Sequence, residues 1–251
     1  MRETLGTPTP VGALVILPTY NEAENLEPMV QAILDLNHGF EILVVDDNSP
    51  DGTGDLADAL TRAHPEVHVL HRAEKMGLGP AYIEGFEWAL AHDYSYVYEM
   101  DCDFSHDPAD LPRFLEEIKQ ADLVIGSRYV PGGRTPDWTL KRRLISRGGN
   151  IFSRVLLRLK THDATGGYRC FRSELLRRIP WEDICAHGYG FQVGVVYHVE
   201  KMGGRIREFP ITFRDRRVGE SKMSTGIISE AFTYVIRLAL GRTQEPGTCP
   251  E

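Results

Sequence analysis

Short apolar runs of strand character alternate with segments of helical periodicity through the first half of the chain, and that alternation leaves few folds open. Ala13-Leu14-Val15-Ile16-Leu17, Glu41-Ile42-Leu43-Val44-Val45, Val67 to Leu70, Tyr94 to Met100 and Leu123 to Ile125 read as buried strands, the first stopping at Pro18. Between them, Glu24 to Leu36 puts Leu26, Met29, Val30, Ile33 and Leu34 on one helical face. Thr53 to Ala63 and Ala81 to Ala91 read as helices too. Strands separated by helices of this length predict an α/β fold, a parallel sheet wound on both faces. The second half is less regular. Leu140 to Leu159 reads as a basic helix, Gly188 to Met202 as a helix, Arg205 to Phe213 as a strand and Ile227 to Leu240 as a last helix. No Pro/Gly-rich linker divides the chain, so one domain over 8–241 is expected, with disordered tails at 1–7 and 242–251.

Composition narrows the function classes. With 251 residues and 42% hydrophobic content the chain can bury a proper core. Its polar N-terminus has no apolar h-region, so no signal peptide is expected. Four cysteines without CxxC spacing point to a reduced, cytoplasmic setting and no structural zinc. No apolar window is long enough to span a bilayer. A net charge of −8 and the lack of a nucleic-acid motif argue against nucleic acid as a partner. The acidic total hides a basic stretch, with Arg134, Lys141, Arg142, Arg143, Arg147, Arg154, Arg158, Lys160, Arg169, Arg172, Arg177 and Arg178 close together. Such a stretch suits phosphates or lipid headgroups, and a solvated helix face accounts for part of it.

Three strand ends carry polar residues. They are Pro18-Thr19-Tyr20-Asn21-Glu22, Asp46-Asp47-Asn48-Ser49-Pro50-Asp51-Gly52-Thr53, and Asp101-Cys102-Asp103-Phe104-Ser105-His106-Asp107-Pro108. Parallel strands bring such ends to one sheet edge, where ligands bind in open α/β sheets. If the strand continues through them, Asp101 and Asp103 share a side and converge on one cation, Mg²⁺ or Mn²⁺. Asp107 reads instead as the cap of a helix begun by Pro108, and capping is an adequate account of Ser49, Asp51 and Thr53. Tyr20 can stack on a base and Asp47 can accept from a base or ribose. No Gly-x-Gly-x-x-Gly follows the first strand, which argues against a dinucleotide cofactor.

With these motifs the chain resembles glycosyltransferase family 2, within it the polyprenyl- or dolichyl-phosphate mannose synthases, from Leu14 to about Leu240. Further segments that carry the resemblance are Gly126-Ser127-Arg128-Tyr129, Trp138-Thr139-Leu140-Lys141-Arg142, Ser146-Arg147-Gly148-Gly149-Asn150, Asp163-Ala164-Thr165-Gly166-Gly167-Tyr168-Arg169, Gly188-Tyr189-Gly190-Phe191-Gln192 and Asp215-Arg216-Arg217-Val218-Gly219-Glu220-Ser221-Lys222-Met223. Cys102 stands where alanine is common, and Asn48 where glycine is common. The resemblance implies a GT-A (Rossmann-like) fold with a mostly parallel sheet, a GDP-mannose donor and a polyprenyl-phosphate acceptor. Pro18, Tyr20, Glu22, Val45 and Asp47 would line the nucleotide pocket, with Asp101 and Cys102 against the donor. Asp103 and Ser105, beside Asp101, would hold the metal. Arg128, Arg216 and Lys222 would bind phosphate or mannose-phosphate groups.

A polyprenyl phosphate is already largely a dianion at neutral pH, so its attack on the anomeric carbon needs no general base. The harder task is charge on the leaving diphosphate, which a cation at Asp103 meets as a Lewis acid. Arg214 to Ser221, with Gly219, suits a loop that closes over substrates. Arg128 and Arg147 can grip the acceptor phosphate, although a surface ion pair explains Arg147 equally well. The helices Leu140 to Lys160 and Ile227 to Leu240 can lie on the cytoplasmic face of a membrane or dock an integral-membrane partner, and core packing is the competing account of their apolar stripes. Three other readings stay open. One is a UDP-glucose-dependent polyprenyl-phosphate glucosyltransferase. Another is a family 2 enzyme acting on a saccharide hydroxyl, with Asp163 as its candidate base. The third is a non-catalytic nucleotide-sugar-binding subunit of a membrane complex.

Overall fold

The computed structural model describes residues 12–184, 188–216 and 225–241. Seven strands form one sheet: β1 (Ala13–Thr19), β2 (Phe40–Asp46), β3 (Val67–His71), β4 (Tyr96–Glu99), β5 (Leu123–Ser127), β6 (Arg169–Arg172) and β7 (Ile206–Pro210). Their order is β3-β2-β1-β4-β6-β5-β7, and β6 alone runs antiparallel to its neighbours. The helices are α1 (Ala23–Leu34), α2 (Thr53–Ala63), α3 (Leu78–Ala91), α4 (Leu111–Glu117), α5 (Leu140–Leu157), α6 (Ser173–Leu176), α7 (Tyr189–Lys201) and α8 (Thr225–Ala239).

Strand alternation builds a core on each face of the sheet. In β1, Ala13, Val15 and Leu17 pack with Leu26, Met29 and Ile33 of α1. Leu14 and Ile16 turn the other way, toward Tyr82 and Phe86 of α3 and Val195 of α7. Each fully buried aliphatic side chain contributes about 1.5–3 kcal/mol, so a two-faced core of this size fixes the register firmly.

Of the boundaries that differ from the sequence reading, two shape the ligand edge. First, β1 does not stop at Pro18 but continues through Thr19, with Pro18 opposite Val45. Pro18 has the same parity as Ile16, whose carbonyl accepts from Met100 on the β4 side. Its missing N–H therefore faces the side where β4 has already ended at Glu99. Second, β4 ends before Asp101, so Asp101 and Asp103 lie in a turn beyond the strand, with Phe104 at φ 61°. Their common direction comes from that turn, and the i/i+2 alternation of a strand does not apply.

β6 escaped the sequence reading because two of its four residues are arginines. Arg169 is fully buried, and Arg172 donates to the carbonyls of Ile118 and Ala121. Both therefore serve the fold and not the basic stretch in which sequence placed them. Asp107 caps the turn Pro108–Asp110 as expected, accepting from the Ala109 amide at 3.0 Å.

After β5 the chain doubles back at Gly133. A β-carbon there would lie 2.6 Å from the backbone of Arg128 and 2.7 Å from the Ser127 carbonyl. Main chain cannot yield as a flexible side chain can. Gly133→Ala is expected to lower stability by about 1–3 kcal/mol in urea unfolding, and an unchanged midpoint would show that this turn is free to shift.

Candidate active site

A cleft of about 370 Å³ opens where β1, β4 and β5 end. Of the residues named from sequence, Pro18, Glu22, Asp101, Cys102, Asp103, Ser105, Arg128 and Arg216 line it. Tyr20, Val45 and Asp47 do not. Lys75, which does line the cleft, lies over the Tyr20 ring at 3.9 Å. Val45 is fully buried in the core and presents no side chain to a nucleotide. Asp47 pairs with the buried Arg72, and burial raises its pKa in spite of that partner. Arg147 lines a neighbouring recess instead. Lys222 lies outside the described residues, as do Gly219, Glu220 and Ser221.

The second motif mostly builds the loop that carries the first. Asp51 accepts from the Ala23 amide at the start of α1 and from the hydroxyl and amide of Thr53. Thr53 in turn accepts from the Glu22 amide, and Ser49 from the Asn21 amide. Asn21 and Asn48 both have positive φ, a conformation asparagine tolerates better than most residues, which accounts for asparagine at 48. Asp51 thus meets the first amides of both α1 and α2, whereas Ser49 and Thr53 tie the loop to residues before α1; the N-cap positions themselves are held by Glu22 and Gly52, so the capping account holds for Asp51 alone.

The third motif forms the cleft floor. Asp103 accepts the Ser105 amide at 3.0 Å and faces the Arg216 guanidinium at 3.0 Å. Asp101 is about one-third open to the cleft. Burial first, and the neighbouring Asp103 second, push its pKa up to about 7. His106 holds the turn from behind, its Nδ1 accepting the Asp101 amide hydrogen at 3.1 Å. Burial pushes this imidazole down to about 4, so it is neutral at pH 7 with its proton on Nε2. It stacks on Tyr168 at 4.8 Å and meets the edge of Phe213 at 5.3 Å.

A hard divalent cation fits this floor. Asp103 raises the cost of ionising Asp101, which a cation there relieves. The Ser105 hydroxyl is buried without a hydrogen-bond partner among the described residues. No group of three or more His, Cys, Asp or Glu side chains is clustered to hold a metal among the described residues. A cation here would complete its shell from water and substrate oxygens, as Mg²⁺ commonly does.

Arg128 stands between the cleft and the recess. Its Nε and Nη2 reach the two Asp163 oxygens at 2.8 and 2.7 Å, its amide reaches Asp163 at 2.9 Å, and Nη2 also reaches Thr165. Burial would raise the Asp163 pKa, but Arg128 outweighs it and holds the carboxyl below its usual range. Asp163 is therefore no base, and the candidacy drawn from its sequence position fails. Beyond Arg128 lies a recess of about 360 Å³ lined by Tyr129, Arg134, Thr135, Arg143 and Arg147.

His106, Trp138, Arg142, Tyr189 and Gln192 also line the cleft. Apart from Arg142, counted in the basic stretch, sequence gave them no chemical role, although each lies in a segment on which the resemblance rested. Comparison with known proteins agrees with that resemblance. The family model for glycosyl transferase family 2 matches residues 14–180. The chain belongs to that family. An undecaprenyl-phosphate mannosyltransferase of Micrococcus luteus is 49% identical over 232 residues, covering 92% of this chain and 96% of that protein. A polyprenol monophosphomannose synthase of Mycolicibacterium smegmatis is 48% identical over 224 residues, covering 88% and 84%. The fold, GT-A, is shared with glucosyl-3-phosphoglycerate synthase of Mycobacterium tuberculosis, at TM-score 0.62, 19% identity and coverage of 94% and 81%. A mannosyltransferase from Pyrobaculum calidifontis, solved with GDP-Man and Mn²⁺, has TM-score 0.55, 19% identity and coverage of 92% and 72%.

In this family 2 chain Asp101 keeps a proton up to about neutral pH, and a cation must displace it. Mn²⁺ affinity, read by electron paramagnetic resonance, is expected to rise from about pH 6 and level off by about pH 8. A flat profile over that range would contradict a cation at Asp101 and Asp103.

Proposed function

We propose that the chain transfers mannose from GDP-mannose to a polyprenyl monophosphate, inverting the anomeric centre to give a polyprenyl β-mannosyl phosphate and GDP. The observation that carries this reading is the juxtaposition of an acidic cleft and a basic recess that share Arg128. Donor diphosphate would sit with Asp101, Asp103 and Ser105, the acceptor phosphate with Arg128 and Arg147. A divalent cation, Mg²⁺ or Mn²⁺, would offset charge on the departing diphosphate. A phosphate oxygen of the acceptor forms the bond to C1 while the bond from C1 to the diphosphate oxygen breaks. The acceptor is already anionic, so no proton has to be removed, which agrees with the engagement of Asp163 by Arg128. Arg216 and Lys222 add positive charge beside the diphosphate. Pro18, Glu22 and Cys102, which line the cleft, complete the donor side. One catalytic domain over 8–241 carries all of this.

We also infer a peripheral place on the cytoplasmic face of a membrane. No helix among the described residues is long and apolar enough to cross one. Core packing does not account for the α5 stripe, because Leu140, Leu144 and Val155 are 70%, 64% and 73% exposed. Phe232, Ile236 and Leu240, on α8 and just after it, are exposed as well, and Phe152 and Phe232 touch at 4.6 Å. The exposed basic residues Lys141 and Arg158 lie on α5 and at its end, where each adds about 1 kcal/mol near an anionic surface. An integral-membrane partner seated on this face is the other occupant consistent with it.

Radiolabelled GDP-mannose and UDP-glucose, each with a polyprenyl phosphate, with and without chelator, test the reaction. Transfer from GDP-mannose alone, abolished by chelator and lowered roughly 100-fold or more in folded Asp103→Asn, is expected. Transfer that survives the chelator, or comes from UDP-glucose, would overturn the metal or the donor. Flotation with anionic vesicles tests the surface. Wild type should float and Leu144→Glu/Val155→Glu should not, whereas wild-type protein left at the bottom would exclude direct lipid binding.

A further inference from the structure

Three side chains lining the cleft bury a polar atom that meets no well-formed hydrogen bond among the described residues: Ser105 Oγ, Trp138 Nε1 and the side-chain amide of Gln192. Ser105 belongs to the cation site already described. Gln192 differs from the others because neither its amide nitrogen nor its amide oxygen makes a well-formed hydrogen bond, although the side chain lies beside the buried Glu99 carboxylate and helps to hold down its pKa, on a residue only 2% exposed. Each buried polar atom left unmet costs about 1–3 kcal/mol, and folded proteins keep few of them.

The surroundings hold this amide in place. Gln192 lies in the first turn of α7, and its main-chain carbonyl accepts from Arg169 Nη2 at 3.1 Å. The same guanidinium holds the carbonyls of Gly166 at 2.8 Å and Ala164 at 3.0 Å. It thereby fixes α7 against the loop that carries Gly167. A β-carbon on Gly167 would come within 3.6 Å of the Gln192 amide nitrogen. Gly167 therefore borders the amide at ordinary contact distance.

An amide offers one acceptor and two donor hydrogens side by side, a match for two neighbouring hydroxyls of a sugar ring. We propose that Gln192 binds the hexose of the donor, its oxygen accepting from one hydroxyl and its nitrogen donating to the next, with Arg169 as its positioning residue. This rests on the nucleotide-sugar reading above and assigns the residue that senses the sugar. Asp101, Asp103 and Gln192 line one cleft, so diphosphate at the carboxylates and hexose at the amide are two parts of one ligand. A site built to hydrogen-bond a hydroxyl discriminates strongly against ligands that leave it unpaired. The competing account is internal water, because Tyr82, Glu99 and Arg169 also bury polar atoms that make no well-formed hydrogen bond.

Calorimetric titration of the full chain with GDP, GDP-mannose and GDP-glucose in Mg²⁺ separates these accounts. Gln192→Leu and Gln192→Ala, each checked for an unchanged melting profile, are the variants. Both should bind GDP within about twofold of wild type while GDP-mannose weakens roughly tenfold, and the preference for GDP-mannose over GDP-glucose should shrink. GDP-mannose binding that survives in both variants would assign the amide to internal water and overturn the inference. Equal loss of GDP and GDP-mannose would overturn it too, since Gln192 would then shape the cleft as a whole. Wild-type protein that binds GDP but not GDP-mannose would instead refute the donor proposed in the preceding section.

Discussion

Two buried arginines hold the loop between α5 and β6 against the end of the sheet, and the shape of the ligand edge follows from them. Arg128 closes on both oxygens of Asp163, which is itself fully buried. Arg169 gathers the carbonyls of Ala164, Gly166 and Gln192. Removing one partner of a buried ion pair leaves a charge with nothing to offset it, at a cost of about 3–5 kcal/mol. These side chains are therefore fixed walls. Because the Arg128–Asp163 pair is rigid, the cleft on one side and the recess on the other keep a constant separation.

The separation matters because the two sides differ in charge. The cleft floor concentrates acids, and Asp101 titrates near neutrality because burial and Asp103 oppose its ionisation. The recess concentrates arginines. An enzyme that joins a nucleotide-activated sugar to a phosphate must bring two anionic ligands together without their repulsion dominating. An acidic floor that takes a cation, and a basic recess that takes a phosphate directly, are two ways of neutralising charge, set on either side of one guanidinium. The exposed apolar stripe of α5 shares its helix with Arg143 and Arg147 of the recess, as a lipid-borne acceptor requires.

Much of the sheet was legible because β1, β2 and β5 are nearly continuous apolar runs, which only a doubly covered sheet buries. β6 was not, since Arg169 and Arg172 look like surface residues until their carbonyl partners are known. Asp101 and Asp103 stood out by residue type and spacing, and Ser105 through the family resemblance, but the reason given for the convergence of the two aspartates was wrong: a turn with Phe104 at positive φ places them, not strand alternation. Asp163 looked available because sequence does not reveal Arg128 beside it. Gln192 carried no signal beyond its motif, because an amide left without a well-formed hydrogen bond is a property of its neighbours. The apolar residues of α5 have the spacing of a core-facing helix, and only the structure shows that most of that stripe has no core to face.

Crystals grown with GDP-mannose and Mn²⁺, with anomalous data collected for manganese, bear most directly on the claim that the carboxylates after β4 hold the donor through a cation. The predicted result is an anomalous peak touching Asp103 and bridging to the diphosphate. A diphosphate seated among Arg134, Arg143 and Arg147, with no manganese at Asp103, would contradict it.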